Sequence, residues 1–213
     1  MTENEYYIHH VIQNQVTMGF SSIEEIKKII YEQIEDDELQ EEISTTWVDK
    51  HIEEEMQKIQ EESKNWSRPT DTDKLILAFE ELYQNNIIAL HNPGYMLSEG
   101  EYEVVEIEKM LRHFGKESDG YCFYQQQDLE SNINFDNGLY ITFQKINNKD
   151  DEETVALGKK IVTVLKKHGF EINWEETAFE KIEILDFQWQ KLFNDKEKNL
   201  LDHNYALEFM LKE

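Results

Sequence analysis

The spacing of apolar residues changes character at Trp66-Ser67-Arg68-Pro69, and no other feature limits the fold of this chain as much. Before that point every apolar stripe has the period of an α-helix. Ile8, Val11 and Ile12 form a short one that Gly19 ends. Ser22-Ile23-Glu24-Glu25 has the spacing of a capping box, and it opens a helix with Ile23, Ile26, Ile30 and Ile34 on one face. A third stripe runs through Leu39, Ile43, Trp47, Ile52, Met56 and Ile59. Residues 1–66 therefore read as an acidic three-helix subdomain, a small bundle or a cap on something larger.

After Pro69, one of two prolines, helical and strand periods alternate. Thr70-Asp71-Thr72-Asp73 caps a helix carrying Leu75, Ala78, Phe79, Leu82 and Tyr83 on one face. Ile87 to Leu90 reads as a buried strand that runs into His91-Asn92-Pro93-Gly94. Ser98-Glu99-Gly100-Glu101 has capping spacing for a helix through Val104, Ile107, Leu111 and Phe114. Strands follow at 121–126 and 139–146, then a helix from Asp151 to His168 that Gly169 stops. Phe170, Ile172 and Trp174 alternate as a strand, and so do Ile182 and Ile184. Asp195 to Leu211 reads as a terminal helix. The expected fold class is α+β. It comprises the helical subdomain, a two-layer sandwich of about five mainly antiparallel strands with helices on one face over residues 67–191, and a helical extension over 192–213.

Charge excludes several function classes. The 213 residues include 46 Asp or Glu against 21 Lys or Arg, a formal net charge of −25. Nucleic acid and anionic membranes are recognised through clustered positive charge, so neither is an expected partner. A basic protein is the partner such a surface suits. Residues 1–66 hold 17 of the acidic and 5 of the basic side chains, so the helical part carries nearly half of the excess on less than a third of the length. With 39% hydrophobic and 12% aromatic residues, the chain is too rich in large apolar side chains to be a disordered acidic one. A lone cysteine, Cys122, forms no intramolecular disulfide, and with no signal-like start or long apolar run the expected address is the cytoplasm.

Several chemical signatures are missing from the sequence. It holds no glycine-rich phosphate loop, dinucleotide fingerprint, nucleophile elbow or His-Glu-x-x-His helix. No cofactor, metal or assigned catalytic residue is expected. His9, His10, His51 and His113 fall on helices without a spaced partner ligand, and His168 sits in the last turn of a helix, where the dipole favours it. Two strand ends remain as places for a site. One supplies His91 and Asn92; the other supplies Gln125, Gln127, Asp128 and Glu130, with Trp189 as an aromatic wall. Polar groups at strand ends are held rigidly by the sheet and stay accessible in the loop. The charge and the missing catalytic motifs make a non-enzymatic binding or protein-interaction module the expected function; the alternative, a small-molecule or hydrolytic site, requires these two strand ends to converge on one cleft.

The run Asn86 to Tyr95 with Ser98-Glu99-Gly100, together with Gly120 to Tyr124, Gln127-Asp128, Gly138 to Phe143, Gly158 to Val162, Glu171 to Trp174 and Phe187 to Gln190, resembles the bacterial domain-of-unknown-function 6891 family over residues 8–191. The resemblance implies a fold and a bacterial cytoplasmic setting but no activity. In many members a histidine stands where this chain has Gln125, and glutamine does not carry protons near neutral pH. Some members pair cysteines in the loop matching His91 to Gly100; this chain has none there, so no zinc role transfers to it.

Overall fold

The computed structural model describes residues 1–148 and 150–212; Glu213, the end of the expected C-terminal extension, lies outside them. The chain forms two compact units. The first comprises Met1–Arg68 with Gln190–Lys198, and the second Pro69–Trp189 with the chain from Asn199 onward. The stretch expected as one extension from residue 192 is thus shared between the units. Its backbone forms a 3₁₀ helix, Asp195–Leu201, and then a separate α-helix, His203–Leu211.

The first unit is built from α1 (Glu3–Met18), α2 (Ile23–Asp36) and α3 (Thr45–Ser63). Thr2 and Ser22 close capping boxes with Glu5 and Glu25, satisfying backbone donors that the first turn leaves open. Ile8, Ile12, Ile26, Ile30, Ile34, Val48 and Ile52 form the core these helices share. Leu39 and Ile43, expected on the third helix, lie in the link before Ser44, which caps α3; both are still buried. Gly19 takes a left-handed conformation at φ 64°, and the carbonyl oxygen of Lys191 lies 2.6 Å from where its Cβ would be. Only glycine fits there.

The second unit is α+β. Its helices are α4 (Asp71–Gln84), α5 (Leu97–His113), α6 (Gln126–Phe135), α7 (Asp151–Lys167) and α8 (His203–Leu211). Its strands are β1 (Ile87–His91), β2 (Gly120–Tyr124), β3 (Leu139–Lys145), β4 (Ile172–Asn173) and β5 (Ile182–Ile184). They form one sheet in the order β1-β2-β3-β5-β4. β1 and β2 run parallel, with His91 opposite Tyr124; every other pairing is antiparallel.

That parallel pair changes the expected layering. A parallel neighbour needs a crossover, and here α5 makes it. Gly120 and Phe123 point to opposite faces of β2. A Cβ on Gly120 would stand 2.4 Å from Leu157 of α7, and one on Gly100 of α5 would stand 2.7 Å from Phe123. Helices therefore cover both faces of this part of the sheet, not one, and β1 and β2 are buried along their whole length. β3 alternates between buried and half-buried residues, with Leu139, Ile141 and Phe143 inward.

Candidate functional site

β1 and β2 end side by side, and the Gln126 amide donates to the Gly94 carbonyl at 3.1 Å across their loops. The two strand ends singled out in the sequence therefore adjoin. Strand alternation turns Ile87, Ala89 and His91 toward α4. His91 is only 3% exposed, and its ring lies 4.6 Å from that of Phe79 at a 30° tilt. Its Nδ1 is 3.0 Å from the hydroxyl of Tyr124, and the nearby Tyr83 hydroxyl donates to the Ala89 carbonyl. Burial pushes both tyrosine hydroxyls well above their ordinary range and drives the Cys122 thiol up too. Such groups stay protonated and do not act as nucleophiles near neutral pH.

Asn92 turns the chain at φ 49°, and its buried Oδ1 has no hydrogen-bond partner among the described residues. The buried Oε1 of Gln125 has none either, while its Nε2 donates to Gln127 Oε1 at 3.3 Å. His91 and Asn92 line a cavity of about 80 Å³ together with Leu90, Pro93, Glu103 and Leu201. That is space for roughly two or three waters. Small-molecule sites usually measure roughly 300–1,000 Å³.

Helix N-termini that follow parallel strands are where anionic ligands bind in many α/β folds. Here carboxylates of the chain itself hold both positions. Glu99 Oε2 accepts from the amides of Tyr95 and Met96 at 2.6 and 2.9 Å. Asp128 Oδ2 faces the Gln125 amide at 3.5 Å. The structure thus moves one cap from where the sequence placed it, since α5 begins after Met96 rather than at Ser98; α6 begins after Gln125.

The remaining candidates disperse. Asp128 is buried, and both its oxygens take the Lys181 ammonium at 2.8 Å, which commits the carboxylate to an ion pair. Glu130 accepts from Gln126 at 2.9 Å, and Gln127 lies exposed on α6. Trp189 is buried edge-on to Tyr124, with ring centres 5.7 Å apart, as part of the packed interior. Lys181 also lines a second cavity, of about 400 Å³, with Tyr140, Asn173, Trp174 and Glu183. Glu183 accepts from the Tyr140 hydroxyl at 2.9 Å and from Asn173 at 2.8 Å, a polar row across β3, β5 and β4. The bond to this carboxylate raises the Tyr140 hydroxyl above its ordinary range. Nothing local in the sequence marks that row, because strand register alone sets Tyr140 against Glu183.

In the first unit the structure joins histidines that the sequence left separate. His9 Nε2 lies 3.2 Å from Glu55 Oε1, and the rings of His9 and His51 are 5.2 Å apart. Trp47 lies against His51, whose Nδ1 meets the Trp47 carbonyl at 2.8 Å. Burial lowers the His9 pKa, outweighing the opposing pull of Glu55. The i, i+4 spacing of Trp47, His51 and Glu55 was the available signal for this cluster. Among the described residues no group of three or more His, Cys, Asp or Glu side chains is arranged to hold a metal ion.

The model of the family described as domain of unknown function (DUF6891) matches residues 1–193, which include all five strands and α1 through α7. The chain belongs to this family. No curated protein and no solved structure shows significant similarity to it. The DUF6891 match stops before the 3₁₀ helix and α8, which still contribute Leu200, Ala206, Leu207 and Met210 to buried positions. Among the described residues no helix is long and apolar enough to cross a membrane.

Proposed function

We propose that this chain is a non-enzymatic binding module whose partner is a basic protein. The observation that carries the reading is the state of the adjoining strand ends. The cavity at the His91–Asn92 end is about 80 Å³, and the helix N-termini after the two strands are occupied by Glu99 and Asp128. A substrate of ordinary size does not fit, and an anionic one meets like charge. Asp128 is held by Lys181 and His91 is sealed behind Phe79 and Tyr124, so neither stands open to a reacting group as an acid or base must. The net charge of −25 supports the choice of partner, since complementary fields speed encounter and select against acidic competitors. One buried, unreactive cysteine agrees with a reducing, cytoplasmic address.

The test is affinity capture from a lysate of the host cell at low ionic strength, followed by stepwise elution with salt. Basic proteins released by salt are the expected result. Recovery of no partner, or of partners released only by detergent, contradicts the reading.

A second reading rests on the two buried amide oxygens, Asn92 Oδ1 and Gln125 Oε1. Unmet acceptors of this kind mark ordered water or a small donor ligand. The volume beside Asn92 restricts that reading to species of a few heavy atoms.

A further inference from the structure

We infer that the N-terminal half of α5, with the loop leading into it, is the surface on which a basic amphipathic helix of a partner protein docks. The inference rests on the binding-module reading above and gives it a place and a chemistry.

Five large apolar side chains are exposed on this short stretch. Tyr102 is 65% exposed and Met96 51%, and Tyr95, Leu97 and Val105 each exceed 40%. Tyr102 and Val105 are neighbours at i, i+3 on the outward side of α5, while Tyr95, Met96 and Leu97 cluster at its start. Exposed apolar residues are unremarkable singly, but a group of them on one element marks an interaction surface. The inward side of the same helix is satisfied: Val104, Ile107 and Leu111 are buried, and Gly100 lets it approach Phe123. The outward residues therefore contribute nothing to the fold's core.

Charge identifies the occupant. Between Leu97 and Glu106 the helix carries Glu99, Glu101, Glu103 and Glu106 and no basic residue; of the later cations, Lys109 pairs with Glu106 at 2.6 Å, which leaves the stretch before it with net negative charge. The helix dipole favours glutamates near an N-terminus, but it does not account for apolar side chains placed among them. A helix with lysines or arginines beside leucines complements both features at once. A second copy of this chain docked through the same face would set glutamates against glutamates and is disfavoured. The cavity of about 80 Å³ adjoins this surface, since Gly94 and Glu103 form part of its wall with Leu90 and Leu201.

The experiment uses the full chain and two synthetic helical peptides of about 18 residues, five turns. One is patterned with Leu and Lys, the other with Leu and Glu. Affinity is measured by titration and the site by amide hydrogen exchange. The Lys peptide is expected to bind with protection over residues 95–106, and the Glu peptide at least tenfold more weakly. Tyr102→Glu and Val105→Glu are each expected to weaken the Lys peptide about tenfold, while Tyr6→Glu on α1 leaves it unchanged. Leu97→Ser serves as a milder variant if either α5 substitution disturbs folding. Protection confined to α1–α3 overturns the docking surface and leaves the binding-module reading standing. Equal binding of both peptides, or variants without effect, also overturns the docking surface. Failure of the Lys peptide to bind anywhere counts against both. Self-association abolished by Tyr102→Glu would overturn the proposed occupant in favour of a second copy.

Discussion

Gly120 opens β2 in a position where the space for a side chain is already filled. A Cβ would meet Leu157 at 2.4 Å and the Gln144 carbonyl oxygen at 2.7 Å, and the second of these is backbone held by the sheet. Gly120→Ala is therefore expected to cost about 1–3 kcal/mol in denaturant unfolding, the range for overpacking a filled interior. A change below a few tenths of a kcal/mol would contradict the packing described. His9 gives a pH prediction. Its pKa is lowered in the folded state from an ordinary value of 6.5, chiefly by burial. As pH falls through that ordinary value, the unfolded chain takes up a proton that the folded one resists, so stability drops. Thermal unfolding from about pH 8 to about pH 5 should show a steeper loss for the wild-type chain than for His9→Gln. Parallel pH profiles would show that His9 is not the group responsible. These residues differ in how far the sequence revealed them. His91 and Asp128 were visible as polar groups at strand ends, but the partners that tie them up, Tyr124 and Lys181, lie 33 and 53 residues away. No local pattern marks such pairings.

The helices were legible because an amphipathic stripe is a local property that burial then preserves; α4 and α7 run close to their apolar and capping signals. Their ends were less so. At α5 the sequence offers Ser98 three residues before Glu101, and the structure instead uses Glu99, which reaches back to Tyr95 and Met96. Ser98→Ala should therefore change stability by less than about 0.5 kcal/mol, while Glu99→Ala should cost about 1 kcal/mol, a typical capping loss. Paired denaturation curves decide it, and a larger effect at Ser98 would reverse the assignment. The face that α5 covers was not legible at all. It depends on β1 and β2 being parallel, and that is a pairing across the whole α5 crossover. The two-residue β4 and three-residue β5 belong to the same class, since their alternation was visible but β4's place at the far edge, with β5 between it and β3, was not.

At the scale of the molecule, charge is the property most fully contained in the sequence, because composition needs no fold to be read. A net charge of −25 acts over distances of about one Debye length, roughly 8 Å at physiological ionic strength, and so governs approach and selection more than the final contact. The structure adds that the chain's own carboxylates take the helix N-termini at the strand ends, which disfavours an anionic ligand there and supports the proposed binding role. The salt dependence of affinity for a captured partner tests this most directly. With the intact chain and the partner recovered at low ionic strength, the dissociation constant should rise at least roughly tenfold between about 50 and 500 mM salt, as long-range attraction is screened. An affinity that does not change over that range, or the absence of any protein retained at its lower end, would contradict the account.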